Sequence, residues 1–288
     1  NLRILREALF TDWINNKTNY RQVIQELGFP MIPGFTVSNF EEAERKFKFL
    51  KNQGFKKILI KKERSVAGFG IFPLKTLKDL EIKLKSNFFD QKQFLLEGFI
   101  EKTTSPNVQY WVGPRKIKFI GASDQLFESD GVSYSGGSFP AEFMSVPNIL
   151  EKITELSLKF CTYLQEKKTY GLIGIDWIIT KGGSVYSPEA NVRFNASTFN
   201  IMTVDKLFGS SENCFWKTFG VNGPPQSFES LFERFSDIFI TQKGQFGVFP
   251  VGVDVLDSMG EGQFMTIGKS FEEVDNLTKR FQRIKSVK

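Results

Sequence analysis

The sequence predicts an α+β protein with mixed or antiparallel sheets, and three observations carry that expectation. Helical and strand-like segments alternate along 288 residues, and the strand-like runs come in pairs around Gly-containing turns. Hydrophobic residues at 41% and charged residues at 24% give an ordinary globular balance. Hairpins favour antiparallel pairing, because parallel strands need a long crossover. The length suits one large domain or two to three small ones, at about 100–200 residues each.

Residues 1–15 place Leu2, Leu5, Leu9 and Trp13 at helical spacing, as expected for a helix or linker packed on a neighbour. A second helical stretch over 17–27 stops at Gly28, and Pro30 and Pro33 hold the following chain extended. Ser38 with Glu41 three residues on reads as a capping box, opening a helix with Phe40, Ala43, Phe47 and Leu50 on its apolar face and Gly54 at its stop. Residues 55–73 read as a hairpin-like unit around a loop containing Gly68 and Gly70. Weak helical periodicity over 76–87 precedes a buried strand at 93–100, then strands at 108–112 and 116–123. Residues 128–140, ESDGVSYSGGSFP, read as a loop. A long amphipathic helix over 148–166 carries Ile149, Ile153, Leu156, Phe160 and Leu164 on one face. Strands at 172–180 and 184–194 flank Gly182-Gly183. The tail from 216 offers a VNGPPQS linker, a helix near 228–239, a strand-like QFGVFPVGV, and a last helix opened by Ser270 with Glu273.

Phe occurs 32 times and His not at all. The missing His excludes Ser-His-Asp hydrolysis, Cys-His proteolysis and imidazole-ligated zinc or haem. Chemistry must run on carboxylates, Lys, Arg, backbone amides or an oxygen-ligated metal. The net charge of +6 is spread along the chain and interrupted by acids, which fits a solvated surface better than a nucleic-acid stripe. Cys161 and Cys214 are too few for a disulfide framework, so a reducing cytoplasm is expected. No apolar run approaches the roughly 18 residues that span a bilayer, so no membrane partner is expected. The first residue is Asn with no signal-peptide pattern after it, and a trimmed chain is the expectation.

The hairpin at 172–194 is the most informative stretch. Two glycines at the turn allow a two-residue type I′ connection, and pairing Lys181 with Ser184 sets Asp176 directly opposite Glu189. Directly opposed side chains have Cβ atoms about 4.5–5.5 Å apart, where like charges repel, so a cation or a proton is needed between them. Glu189, Asn191 and Arg193 share a strand face. Hard oxygen donors without imidazole or thiolate point to Mg²⁺ or Mn²⁺, and the neighbouring Arg suggests a phosphate. The bland alternative is an exposed face on which Arg193 neutralises Glu189. Pro188 cannot donate to a full ladder, which points to an edge strand. Upstream, Lys61 ends a buried strand just before the small-residue loop Ser65-Val66-Ala67-Gly68-Phe69-Gly70, whose amides could hold phosphate.

In order, these pieces resemble the ATP-grasp superfamily of carboxylate–amine ligases over about residues 16–200. Asn16-Lys17 followed by LGFPMIPGF looks like the opening segment whose Lys contacts ATP phosphates; ILIKK looks like the strand carrying the second phosphate lysine, Lys61. SVAGFG sits where the glycine-rich lid belongs, with Gly68 and Gly70 over the triphosphate. FLLEGFIE resembles the adenine hinge, with Glu97, Phe99 and Ile100 meeting the base, and Asn107 stands where a ribose-binding Glu is usual. GIDWII with PEANVRFNAS puts Asp176, Glu189 and Asn191 on the metal ligands and Arg193 where the reacting carboxylate is steadied.

The resemblance implies an ATP-grasp fold of two α+β lobes, divided as an N-terminal helix or linker at 1–15, an N-lobe at 16–97, a C-lobe at 98–215 and a C-terminal segment at 216–288 packing on the C-lobe. It implies ATP and Mg²⁺ (or Mn²⁺) as cofactors, with Lys61 and Arg193 as catalytic groups. The implied activity is an ATP-dependent peptide or amide ligase acting through an acyl phosphate on small carboxylate and amine partners, such as amino acids or peptides. Ser123-Asp124-Gln125 with the SGGSFP segment looks like peptide ligases of natural-product pathways, which carry a further N-terminal domain. A non-catalytic ATP-binding protein on the same fold is the alternative, and a polyanion-binding module a remoter one. Phe-rich helices at both ends could supply a homodimer interface as readily as core.

Overall fold

The computed structural model describes residues 2–65, 70–85, 93–210 and 213–283, with side chains from residue 7 onward. The chain opens with α1 (Leu2–Ile14) and α2 (Lys17–Glu26). A four-stranded antiparallel sheet follows, built from β1 (Gly34–Val37), β2 (Ile58–Lys62), β3 (Ile71–Leu74) and β4 (Phe94–Gly98) in the order β1-β4-β2-β3. Helices α3 (Phe40–Asn52) and α4 (Leu77–Lys85) are interleaved with these strands, and Phe47, Leu50 and Leu80 seal against Ile58, Ile60 and Leu96.

The expected capping box of α3 is displaced by one residue. Asn39, not Ser38, is the cap: its Oδ1 accepts the Glu42 N–H at 2.9 Å, while the Glu42 carboxylate accepts the Ser38 N–H at 3.1 Å. Asn competes well with Ser for this position, because its short amide oxygen reaches the same amide.

The second sheet has eight strands in the order β11-β12-β10-β7-β6-β5-β8-β9, with every neighbouring pair antiparallel. These are β5 (Pro106–Val112), β6 (Ile117–Phe127), β7 (Tyr134–Phe139), β8 (Gly171–Ile179), β9 (Val185–Asn191), β10 (Phe215–Asn222), β11 (Gly247–Gly252) and β12 (Glu261–Gly268). Helix α5 (Pro147–Glu166) covers one face through Ile153, Phe160 and Leu164 against Val108, Ile173 and Ile175. Helix α6 (Ala196–Phe208) covers the other: Ile201 packs on Gly121, where an added Cβ would approach the Ile201 side chain to 3.1 Å.

Three features differ from the sequence expectation. Helix α2 belongs to the core of the large sheet, because Tyr20, Val23 and Ile24 pack with α5 residues rather than under β1–β4. The Gly/Ser run at 128–140 is not all loop; its second half is β7, between β6 and β10. Gly136 fits there because a Cβ would meet the Thr218 carbonyl oxygen at 2.2 Å, so what reads as turn chemistry is close sheet contact. The tail does more than pack on the sheet: β10, β11 and β12 extend it.

The tail also accounts for much of the Phe excess. Around α7 (Phe228–Arg234), α8 (Leu256–Met259) and α9 (Phe271–Gln282), the rings of Phe239, Phe264 and Phe281 meet at centroid distances of 4.7 to 6.4 Å, and Phe219, Phe228, Phe232 and Phe235 join them. Large rings at offset and edge-on angles fill a core at the sheet end without polar partners.

Candidate active site

Asp176 on β8 stands opposite Glu189 on β9, as the hairpin predicts, but the route to that register differs. The turn is not a two-residue type I′ connection. Thr180 and Ser184 close it, with the Thr180 N–H donating to the Ser184 carbonyl at 3.0 Å, and only Gly183 of the glycine pair has a positive φ, +76°. That shifts the strands by one residue at the turn end. A bulge restores the register, with Ser187 and Pro188 together opposing Trp177. Pro188 suits this irregular place because it has no N–H to give a ladder. The Ser187 hydroxyl donates to the Asp176 carbonyl at 2.9 Å and contacts the Tyr20 hydroxyl at 2.5 Å, so α2 fixes the bulge from behind.

Strand alternation gathers a polar floor on the α6 face. Asn107 and Gln125 both donate their amides to Asp176 Oδ1, Gln125 at 2.6 Å. Gln109, fully buried, donates to Asn107 and, at 3.0 Å, to Asn195 Oδ1, while the Thr198 hydroxyl donates to Gln109 Oε1 at 2.6 Å. Asn195 caps α6 in a capping box with Thr198. One chain of amides therefore ties the α6 N-terminus to Asp176. Gly174 leaves room for it, since a Cβ there would lie 2.0 Å from Asn195 Nδ2.

The two lysines expected at phosphate are both paired with carboxylates. Lys17 Nζ donates to Glu189 Oε1 at 2.9 Å from a buried position behind Glu189, and is not part of the cleft wall. Lys61 Nζ donates to Glu97 Oε2 at 2.5 Å, and Arg21 takes the other Glu97 oxygen at 2.6 Å while also donating to the Ile32 and Gly34 carbonyls. Glu97 is thus a buried anion between two cations from α2 and β2. Arg193 donates to Asn191 Oδ1 at 2.8 Å and to the Phe194 carbonyl, and does not bridge to Glu189. The bland pairing of Arg193 with Glu189 is therefore absent; Lys17 fills that role.

A cleft of about 340 Å³ lies between the small sheet and this floor. Lys61, Gly98, Phe99 and Ile100 line one side, and Asp176, Glu189, Asn191 and Arg193 the other. Phe99 is braced by the Lys57 ammonium 3.8 Å from its ring centre. Asn107 lines the same cleft and donates its amide to Asp176 Oδ1. Gly70, with φ of +89°, packs on Ser65 and Lys62; Gly68 lies outside the described residues. Arg21, Lys102 and Gln109 were not singled out by the sequence, and Gln125 only as part of the Ser123-Asp124-Gln125 segment, with no contact to Asp176 expected. The partners Glu97 of Arg21, Asp176 of Gln125 and Thr198 of Gln109 lie 51 to 89 residues away, and Lys102 rests on Phe127; in sequence each is an ordinary polar residue on a helix, connector or strand.

Burial, and then the Glu189 charge, hold the Asp176 carboxyl well above the ordinary carboxylate range, against the lowering pull of Asn107, Gln125 and Lys17. The protonated form is favoured on folding. Asp176 therefore adds stability as pH falls through its raised folded value towards the unfolded value of about 3.9, and withdraws it as pH rises. Unfolding titrations from pH 5 to 8 should show this trend in wild type and lose it in Asp176→Asn. A divalent cation held there would need the ionised form, so its affinity would fall across the same interval as pH is lowered.

No cluster of three or more His, Cys, Asp or Glu side chains exists among the described residues. The donor set is Asp176, Glu189 and the Asn191 amide oxygen, all hard oxygens on one face. It fits Mg²⁺ completed by phosphate oxygens and water, the usual Mg²⁺ arrangement.

Two lobes of antiparallel sheet closing on such a cleft form the ATP-grasp fold, and that is the fold of this chain. Solved structures agree. N5-carboxyaminoimidazole ribonucleotide synthetase in its ADP complex superposes with a TM-score of 0.70 at 12% identity, covering 93% of this chain and 70% of that one. The Aspergillus clavatus enzyme with ADP and 5-aminoimidazole ribonucleotide gives 0.70 at 12%, covering 96% and 73%. The biotin carboxylase domain of Hydrogenobacter thermophilus 2-oxoglutarate carboxylase, with MgADP, ADP and bicarbonate, gives 0.67 at 16%, covering 93% and 65%. In sequence the chain is similar to the [butirosin acyl-carrier protein]–L-glutamate ligase of Niallia circulans, 26% identical over 192 residues, which is 65% of this chain and 44% of that protein. The chain thus spans less than half the length of that curated relative. No protein-family model matches it. No helix among the described residues is long and apolar enough to cross a membrane.

Proposed function

We propose that this chain carries the nucleotide and metal site of an ATP-dependent ligase that joins a carboxylate to an amine through an acyl phosphate, releasing ADP and phosphate. The observation that carries the reading is the opposed pair Asp176–Glu189 on the cleft floor, facing the buried Lys61 on the small sheet. The small lobe in this reading is the β1–β4 sheet with α3 and α4, and the large lobe is everything built on the eight-stranded sheet.

Asp176, Glu189 and Asn191 would hold Mg²⁺, which when bound neutralises developing charge on phosphate oxygens. Lys17 and Lys61 are neutralised by Glu189 and Glu97. A cation beside Glu189 and a triphosphate beside Lys61 would give these two groups replacement partners while Glu97 keeps Arg21, so loading the cleft is largely an exchange of ion pairs rather than the creation of new buried charge. The hinge residues Phe99 and Ile100 supply an apolar wall for the base. Gly68 and Gly70 are the lid glycines of this reading, and Asn107, which lines the cleft beside Asp176, is its residue on the sugar side of the nucleotide.

A carboxylate oxygen of the acid attacks the terminal phosphorus and the bond to ADP breaks. Arg193, exposed at the cleft mouth, steadies that carboxylate and then the oxyanion formed when the amine attacks the acyl carbon. The carbon–oxygen bond to phosphate breaks, and the amine proton leaves with phosphate or water. The N. circulans relative is named for L-glutamate, so glutamate is the first acid to test within pooled amino acids. Mass spectrometry of products formed from ATP, Mg²⁺ and the pool should find an amide together with ADP. Release of AMP, or hydrolysis indifferent to acid and amine, would sink the reading.

A further inference from the structure

Lys61 and Lys102 are the lysines among the described residues lining the cleft, and they differ in one respect. Lys61 is engaged by Glu97 at 2.5 Å. Lys102 makes no carboxylate contact; its ammonium lies 3.0 Å from the ring centre of Phe127, another cleft residue. A cation on an aromatic face is held in place yet keeps donors available, since the ring occupies only one side of it. The charged groups facing it are Lys61 from β2, Asp176 from β8 and Asp130 from the loop before β7, all acting at longer range. A half-buried ammonium without an anion in a cleft built for an anionic ligand is an incomplete ion pair.

Position limits what completes it. Lys102 follows the hinge residues Phe99 and Ile100 by two to three positions, and its neighbour Thr103 is tied to the Ile179 carbonyl at 2.8 Å, at the end of the strand that carries Asp176. It therefore stands between the wall assigned to the base and the carboxylates assigned to the metal. A nucleotide running from one to the other passes Lys102 with the phosphate nearest its sugar. We propose that Lys102 is a nucleotide-binding residue that pairs with this first phosphate group, completing a role that Lys61, already held by Glu97, does not fill alone. The inference rests on the nucleotide reading of the cleft.

Burial, reinforced by repulsion from Lys61, lowers the Lys102 ammonium to about 8, with Asp176 and Asp130 pulling the other way. Pairing with phosphate requires the protonated form, so phosphate-dependent affinity should decline above pH 8. Arginine, which stays charged, should abolish that decline.

The test is calorimetric titration of the full chain with ATP, ADP, AMP and adenosine in Mg²⁺, for wild type, Lys102→Met and Lys102→Arg, at pH 7 and 9. Lys102→Met should weaken ATP, ADP and AMP alike by about ten- to a hundredfold, the worth of a charge-assisted hydrogen bond, and leave adenosine unchanged. Wild type should lose phosphate-dependent affinity at pH 9 while Lys102→Arg keeps it. If Lys102→Met binds AMP normally, or weakens adenosine equally, the assignment fails while the nucleotide cleft stands. If Lys102→Met does not fold, a pH 9 loss shared by Lys102→Arg overturns it. Failure of wild type to bind any of the nucleotides overturns both readings.

Discussion

Under the proposed reaction, Glu189→Ala is expected to lower turnover by about three orders of magnitude or more, because several kcal/mol of charge stabilisation would be lost with the metal site. The same change leaves Lys17, 2% exposed in its side chain, without its 2.9 Å partner. An unpaired buried ammonium is costly, so a stability loss of up to about 3 kcal/mol should accompany the loss of activity. The two effects separate in the double variant Glu189→Ala with Lys17→Met, which should regain much of the stability and none of the turnover. Chemical denaturation and ADP release measured on the same preparations check both. A Glu189→Ala protein that turns over normally would remove this carboxylate from the mechanism.

Glu97→Ala should cost about 3–5 kcal/mol of stability. Its carboxylate is 4% exposed and neutralises two cations at once, Lys61 at 2.5 Å and Arg21 at 2.6 Å. Arg21 also donates to the carbonyls of Ile32 and Gly34, so this anion fastens α2, and with it the large lobe's core, to the strand β1 of the small lobe. Removing it strands two buried positive charges at the lobe junction. Nucleotide phosphates supply an alternative anion for Lys61, so ATP should recover part of the loss. Thermal unfolding with and without MgATP reads this directly, and a variant as stable as wild type would show that the ion triad is unimportant to the junction.

Much of the chemistry was legible because it is local in sequence. A hairpin fixes cross-strand neighbours within about twenty residues, so Asp176 could be set against Glu189 from the strand pattern alone. Even so, the register was reached by two compensating irregularities, a longer turn and a bulge at Ser187-Pro188, and only the structure reveals them. Helices α3, α5 and α9 were legible from apolar spacing and caps. The strand β7 was hidden because its glycines serve close packing on Thr218 rather than a turn. The contacts of Arg21, Gln109 and Gln125 were hidden for another reason: each acts through a partner on an element distant in sequence, and nothing in a polar side chain's own neighbourhood announces such a contact. The absence of His, first an exclusion, now sits beside a floor of amides and carboxylates that needs no imidazole.

The central claim, carboxylate activation by ATP in the Asp176–Glu189 cleft, is tested most directly by following oxygen. Amino acids labelled with heavy oxygen in their carboxylates are incubated with the protein, ATP and Mg²⁺, and the released phosphate is analysed by mass spectrometry. An acyl phosphate transfers one carboxylate oxygen to phosphate when the amine displaces it, so phosphate bearing one heavy oxygen is the predicted result. Unlabelled phosphate, or label appearing in AMP, would contradict it.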